Sequence, residues 1–345
     1  MKRHAAILAA AAVLGVGAPG TMIAGAARAQ AIATIPDVFT RPDKGNCIAC
    51  HQVPGSLGRS GGDVGPPLSG ARMRELGAAK LREIVEDPMK ANPDTAMPPF
   101  GRHRILDAAE LTRIVQFLQA LPDDAPPAVA PAAEGAVDTA ATQAVLERGR
   151  TLWLRKFKDK RSLAGCFPNG GRRIAAAYPQ YDPRVKRVVT LEMAINQCLK
   201  VHHEDLYDAA DPETMGAVVA YVRSLSNGQK INVRIPAAAQ ARFDEGKRLY
   251  VTRMGQRNFA CASCHVQAAG KRFGESTLAA LEGQATGGPW VRNGRALTLQ
   301  ARMRECLERM GAAPFPAGSD ELNQLEYYIT YQSNGMPLKV PRRER

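Results

Sequence analysis

The amino-acid sequence predicts a mainly α-helical chain built as three helix-and-loop units in tandem. Three observations lead there. Each of three stretches of similar size closes on an amphipathic helix. Two of them repeat each other's landmarks at a nearly fixed offset. No alternation of apolar and polar residues runs long enough to found a sheet. The expected divisions are an export signal (1–29), a first unit (30–121), a linker (122–142), a second unit (143–235) and a third (236–345).

The signal comes first. Lys2 and Arg3 precede an apolar run from Ala5 to Val16, and Ala27-Arg28-Ala29 is a small-x-small cleavage site. The run is shorter than the roughly 20 residues that cross a bilayer. A signal cleaved near Ala29, a periplasmic location and no membrane span in the mature chain are expected, with an uncleaved anchor as the alternative. Of the 345 residues, 45% are hydrophobic and 23% charged, which excludes a chain disordered throughout. The formal charge of +13 is uneven. Residues 30–130 hold 11 bases and 12 acids, whereas residues 131–345 hold 32 and 21. That surplus favours an anionic substrate or an acidic partner. Nucleic acid is not expected, because the chain is exported and has no aromatic-basic binding motif.

The first unit opens with Cys47-Ile48-Ala49-Cys50-His51, and the third carries Cys261-Ala262-Ser263-Cys264-His265. C-x-x-C-H attaches c-type haem: two thiols add to the vinyl groups and the adjacent imidazole binds iron. Zinc would want further Cys or His pairs nearby, and neither motif has one. Two covalently bound haem c groups are expected, held by Cys47, Cys50, Cys261 and Cys264, with His51 and His265 as axial ligands. The units then have the scale of small c-type cytochromes. Met97, in Thr95-Ala96-Met97-Pro98-Pro99-Phe100, is the expected second iron ligand of the first unit, since its prolines hold the loop extended. Met73, Met89 and His103 compete for that place. Asp107 with Glu110 reads as a capping box, opening a helix with Leu111, Ile114, Val115 and Leu118 on one face. The linker is rich in Pro and Ala.

The second and third units are a repeat. Tyr221, Ser226-Asn227-Gly228 and Val233 recur as Tyr328, Ser333-Asn334-Gly335 and Val340, at an offset of 107. Gly149 to Trp153 resembles Gly246 to Tyr250 at an offset of 97, and Cys198-Leu199 matches Cys306-Leu307 at 108. In this register Cys166-Phe167-Pro168-Asn169-Gly170 falls near the third unit's haem motif. Asn169 stands for the second Cys and Gly170 for the His, so the second unit lacks haem. Cys166 and Cys198 are paired in a disulfide on this reading, with two free thiols as the alternative. Cys306 is left over, at the position that faces iron in the haem-bearing copy, and thiolate is a good axial ligand for ferric haem. An inert buried thiol is the alternative. Asp211-Pro212-Glu213 reads as a helix start. A helix from Leu299 to Met310 is expected to stop at Gly311, and one capped by Ser319 to stop at Gly335. His202 and His203 could bind a metal such as copper or be surface imidazoles. Trp153 and Trp290 read as packing residues.

Together these features resemble the Sox thiosulfate-oxidising cytochromes, as SoxX fused to SoxA. Gly45 to His51, Gly62-Asp63-Val64-Gly65-Pro66 and Ala96 to Pro99 look like SoxX. Residues 143–340, with Arg302-Met303-Arg304-Glu305-Cys306, look like a single-haem SoxA. The resemblance implies an L-cysteine S-thiosulfotransferase that joins thiosulfate oxidatively to a cysteine of the SoxYZ carrier protein and passes two electrons to a soluble cytochrome c acceptor. It implies that Cys306 is catalytic, an iron ligand and often a persulfide, that Arg302 is an active-site residue, and that the linker makes the docking of SoxX and SoxA intramolecular. A tetrathionate-forming thiosulfate dehydrogenase and a dihaem electron carrier without a substrate site are the rival readings.

Overall fold

Three helices organise the first unit in the computed structural model, which describes residues 35–127 and 139–340. The expected signal and the middle of the linker lie outside the described residues. Helix α1 spans Asp37–Thr40, α2 Gly70–Glu86 and α3 Ala108–Gln119. The capping box forms in full: Asp107 accepts from the Glu110 amide at 2.8 Å, and Glu110 accepts from the Asp107 amide at 2.9 Å. Two orphan amide groups at the helix start are thereby satisfied. The apolar stripe of α3 buries Leu111, Ile114, Val115 and Leu118 against α2 and Phe39. Fully burying side chains of this size contributes about 1.5–3 kcal/mol each. Gly77 interrupts α2 with φ +74°, a left-handed conformation that costs glycine little.

The second unit holds α4 (Thr139–Leu154), α5 (Leu163–Cys166), the hairpin of β1 (Gln180–Asp182) and β2 (Arg187–Val189), α6 (Leu191–Val201) and α7 (Met215–Ser224). The third holds α8 (Gln240–Val251), the hairpin of β3 (Arg272–Phe273) and β4 (Ser276–Thr277), that of β5 (Trp290–Arg292) and β6 (Arg295–Leu297), α9 (Leu299–Arg309) and α10 (Asp320–Gln332). All three hairpins are antiparallel. Ser319 caps α10, Gly335 follows it with φ +82°, and Gly311 follows α9 with φ +71°. Helix α7 departs from its expected start. It begins at Met215, because Asp211 accepts from the amides of Glu213 and Thr214 and so holds them in a turn before the helix.

The repeat folds as a repeat. Helix α4 packs on α7 as α8 packs on α10. Each crossing is closed by a glycine: Gly149 lies against the Ala217 carbonyl and Gly246 against that of Gln324, where a Cβ would collide. Thr190 caps α6 and Thr298 caps α9. The two Ser-Asn-Gly segments then cross-pair. Asn227 exchanges two hydrogen bonds with the Val340 backbone, both 2.7 Å, and Asn334 two with the Val233 backbone, both 2.9 Å. Main-chain bonds link Gly228 to Leu338 and Ile231 to Met336 and Gly335. This reciprocity joins both units around one continuous core that includes Trp153, Leu199, Val222, Tyr250, Leu307 and Tyr327. The fold is therefore mainly helical, with helix-and-loop units in tandem. Among the described residues no helix is long and apolar enough to cross a membrane.

Candidate functional site

The first C-x-x-C-H motif is bent into a short turn, Cys47–Ala49, entered through Asn46 at φ +46°. The His51 amide donates to the Cys47 carbonyl at 2.9 Å, closing the motif on itself. His51 Nδ1 lies 2.7 Å from the Pro66 carbonyl, which assigns the proton to Nδ1 and leaves the Nε2 lone pair for a metal. Gly65 lies flat on the imidazole, where a Cβ would fall inside contact distance of Cε1. Burial holds His51 below its ordinary range and so favours the neutral, ligating form. Burial also pushes the Cys47 and Cys50 thiols up to about 12.

Cys47, Cys50, His51 and Met97 all line one largely apolar cavity of about 670 Å³. That volume lies within the range of cofactor sites, roughly 300–1,000 Å³. Two thiols, an imidazole and a thioether around apolar walls fit a haem c. Thr95 Oγ1 accepts from the Met97 amide at 3.0 Å and the Thr95 carbonyl accepts from Arg253 at 2.7 Å, so the loop is fixed from both sides. Of the competing ligands, Met73 shares the cavity. Met89 instead accepts from Asn258 at 3.1 Å, and His103 Nδ1 lies 2.7 Å from the Gln256 carbonyl. Both are thus engaged by the third unit.

The cavity is completed by Arg257, Phe259, Phe273 and Arg309 of the third unit. The units dock there through main-chain atoms. Gly274 donates to the Ala49 carbonyl at 2.8 Å, Asp63 to the Arg272 carbonyl at 3.1 Å, and Arg257 to the carbonyls of Pro42 and Lys44. Cys264 contributes to the upward push on Cys50, so the two thiol pairs lie within electrostatic reach of each other.

In the second motif, His265 Nδ1 lies 2.7 Å from the Ala279 carbonyl, matching His51 and again freeing Nε2. Burial lowers His265, and the Arg302 charge lowers it further. Burial pushes Cys261 up to about 12 and Cys264 up to about 11, and Cys306 adds to both. Cys306 sits on α9, whose start is fixed by Thr298 accepting from the Ala301 amide at 3.2 Å. Burial pushes the Cys306 thiol up, while Arg302 and Arg309 pull it down. Arg302 is one helical turn before Cys306. Its Nη1 donates to Glu305 at 2.7 Å, and its guanidinium carbon stands 5.8 Å from the Trp290 ring centre. Trp290 is thus more than a packing residue: with Glu305 it orients Arg302.

In the second unit Cys166 and Cys198 form a disulfide across 32 residues. Asn169 and Gly170 occupy a left-handed turn with φ +52° and +66°. Trp153 donates from its indole nitrogen to the Gly170 carbonyl at 2.9 Å and stacks 5.0 Å from Phe167. His202 pairs with Asp159 at 2.6 Å instead of standing free on the surface. The sequence reading missed Arg257, Arg309 and Glu305. A signal existed for Glu305, which lies beside Cys306 in sequence, and for Arg309, three residues beyond it.

The family model described as SoxA/TsdA, cytochrome c domain, matches residues 148–231 and 245–338. Residues 30–118 match the model described as cytochrome C oxidase, cbb3-type, subunit III. The L-cysteine S-thiosulfotransferase subunit SoxA of Chlorobaculum tepidum is 37% identical over 199 residues, covering 57% of this chain and 69% of that protein. The protein of the same name from Allochromatium vinosum is 37% identical over 202 residues, covering 57% and 71%. The crystal structure of SoxXA from P. pantotrophus superposes with a TM-score of 0.53 at 24% identity, over 57% of this chain and 76% of that one, a likeness of fold.

Proposed function

This chain belongs to the SoxA/TsdA cytochrome c family, and on that premise we propose that it is a fused SoxX–SoxA cytochrome acting as an L-cysteine S-thiosulfotransferase. Residues 30–121 take the SoxX part and residues 143–345 the SoxA part, in the periplasm after cleavage near Ala29. The proposed reaction joins thiosulfate to a thiol of the SoxYZ carrier: R–SH + S₂O₃²⁻ gives R–S–S–SO₃⁻, one proton and two electrons, which a soluble cytochrome c takes up. The observation that carries this reading is Cys306, one turn after Arg302 and within electrostatic reach of the second thiol pair.

Cys47 and Cys50 would hold one haem c and Cys261 and Cys264 another; His51 and Met97 would bind the iron of the first, and His265 and Cys306 that of the second. Bound haem c supplies a one-electron acceptor at each site. Every other task falls to this chain's side chains. Burial, with Glu305, pushes the Cys306 thiol up; Arg302 and Arg309 pull against that push and place two positive charges near the sulfur that attract a dianion. Glu305 and Trp290 hold the Arg302 guanidinium in place, so that less of its rotamer freedom is lost when thiosulfate binds. The basic surplus of residues 131–345 favours approach of an acidic carrier.

The test is Cys306→Ala. Its intact mass should still carry two haem groups, while thiosulfate-dependent reduction of cytochrome c in the presence of the carrier falls by at least about a thousandfold, the scale of a lost nucleophile. Undiminished turnover would overturn the proposal. Tetrathionate formed without any carrier would instead favour a thiosulfate dehydrogenase.

A further inference from the structure

A second sulfur–nitrogen cluster lies outside the site just described. Cys166 Sγ, Cys198 Sγ and a ring nitrogen of His202 all lie within 4.8 Å of one another. Cys198 lies in the last turn of α6, and His202 caps its end, its amide donating to the Cys198 carbonyl at 3.2 Å. Cys166 arrives from the end of the four-residue α5. Asp159 Oδ2 lies 2.6 Å from His202 Nδ1. With the proton thus assigned to Nδ1, Nε2 carries the lone pair, and a carboxylate behind an imidazole is the arrangement that orients metal-binding histidines. The Phe157 ring, 5.3 Å away, limits rotation of the imidazole. Cys198 is the repeat counterpart of Cys306, so the same position of the fold carries a donor sulfur in both units.

We propose that Cys166, Cys198 and His202 form a redox-gated site for a thiophilic d¹⁰ cation of the Zn²⁺ class, shut while the two sulfurs are bonded and opened when a dithiol reduces them. The exposed Cys166 is the sulfur open to attack, and Cys198 is buried. A thiolate of the dithiol bonds to Cys166 Sγ, the S–S bond breaks, and Cys198 leaves as thiolate. The second thiol of the reductant then displaces Cys166 and departs as an intramolecular disulfide. Two electrons have passed to the protein. Zn²⁺ binds both sulfurs as thiolates, with their protons released to solvent, and takes Nε2 of neutral His202.

The donor set selects the ion. Two sulfurs and an imidazole suit zinc and disfavour hard cations. Tetrahedral bonds of about 2.3 Å to sulfur and 2.0 Å to nitrogen place ligand atoms roughly 3.3–3.8 Å apart, inside the present spread. The two sulfurs, now bonded to each other, must separate. Cys166 can move, since it ends a single helical turn and precedes the left-handed turn at Asn169 and Gly170. Three protein ligands leave a fourth position for water.

The experiment uses the haem-loaded full chain, reduced with dithiothreitol, desalted without oxygen and equilibrated with Zn²⁺ against a competing chelator. Elemental analysis should find one more zinc per chain in the reduced than in the oxidised protein. His202→Ala should weaken that zinc by at least about tenfold, the lower end of what disturbing a liganding imidazole costs. The double variant Cys166→Ser/Cys198→Ser should not hold it. In the wild type, zinc should protect Cys166 and Cys198 from alkylation, read by peptide mass, which keeps the test valid if the double variant does not fold. Equal zinc in both redox states, unchanged affinity in His202→Ala, or alkylation of both cysteines despite bound zinc would each overturn the proposal.

Discussion

Asn334→Ala tests whether the two repeats are held together by their reciprocal asparagines. The side chain accepts from the Val233 amide at 2.9 Å and donates to the Val233 carbonyl at 2.9 Å. Removing it deletes both bonds at a backbone position that is 2% exposed. Each such bond is worth about 0.5–1.5 kcal/mol net, so the loss should be about 1–3 kcal/mol. Asn334 is itself exposed, so water can enter and the full penalty of a stranded buried group does not apply. At roughly 2–4 °C per kcal/mol for a unit of this size, Tm should fall by roughly 2–12 °C. Asn227→Ala removes the matching pair of 2.7 Å bonds to Val340 and should cost a similar amount. The assay is urea unfolding followed by far-ultraviolet circular dichroism, on haem-loaded protein of verified mass. If both variants unfold within about 0.3 kcal/mol of the parent, the cross-pairing does not stabilise the fold and the argument from reciprocity fails.

Other predictions concern the sites. Gly65→Ala should push the His51 ring out of place, altering the visible spectrum of the first haem while intact mass still shows it attached; an unchanged spectrum would mean that Gly65 does not set the imidazole. Arg302→Ala should raise KM for thiosulfate by roughly tenfold to a hundredfold, the worth of one charge-assisted hydrogen bond, whereas equal losses for neutral acceptors of the same size would speak against an anion contact. Glu326 is buried beside Glu192 and Arg223, and burial, aided by Glu192, pushes its carboxyl from 4.5 up to about 8. The folded protein therefore holds a proton that the unfolded chain releases, so this contribution to stability is full below about 4.5 and is lost as pH rises through about 8. Urea midpoints should fall across that window and flatten in Glu326→Gln, and a level wild-type profile would refute the assignment.

How much of this could be read beforehand depended on whether side chains or main chain carried the information. Asp107 and Glu110 announce their helix because capping needs those side chains at that spacing, and both bonds form. The Cys166–Cys198 pair followed from the repeat, since a unit whose haem motif reads Asn169 and Gly170 leaves two sulfurs without a cofactor. The start of α7 misled because Asp-Pro-Glu suits a first turn, yet Asp211 uses its oxygens on the next two amides outside the helix. The hairpins escaped because strands of two or three residues are too short for alternation to register. The docking of the first unit on the third was illegible for a deeper reason. Its contacts at Ala49, Asp63 and Thr95 run largely through backbone atoms that every residue possesses, so no pattern of residue types marks them.

The divergence of the two repeats then has a physical account. Both need something to fill and close the space between the helix that opens the unit and the loop that follows it. The third unit keeps two thiols and a histidine there, with Tyr250, the counterpart of Trp153, donating to Gln284 at 3.0 Å. The second unit fills the space with protein. Trp153 is fully buried under Gly170 and Gly171 and is backed by Phe167. The disulfide closes the 32-residue stretch between its cysteines, which in a chain-entropy account removes about 3.5–4 kcal/mol of unfolded-state freedom. A sulfur at the position of Cys198 and Cys306 thus serves two ends on one scaffold. Where aromatic side chains occupy the interior, it is free to act as a covalent staple. Where thiols and an imidazole occupy it, the same sulfur stays unbridged, with burial pushing its thiol up and two arginines pulling it down. An unbridged sulfur at Cys306 is in this sense what remains when the third unit gives up the closure that the second unit uses.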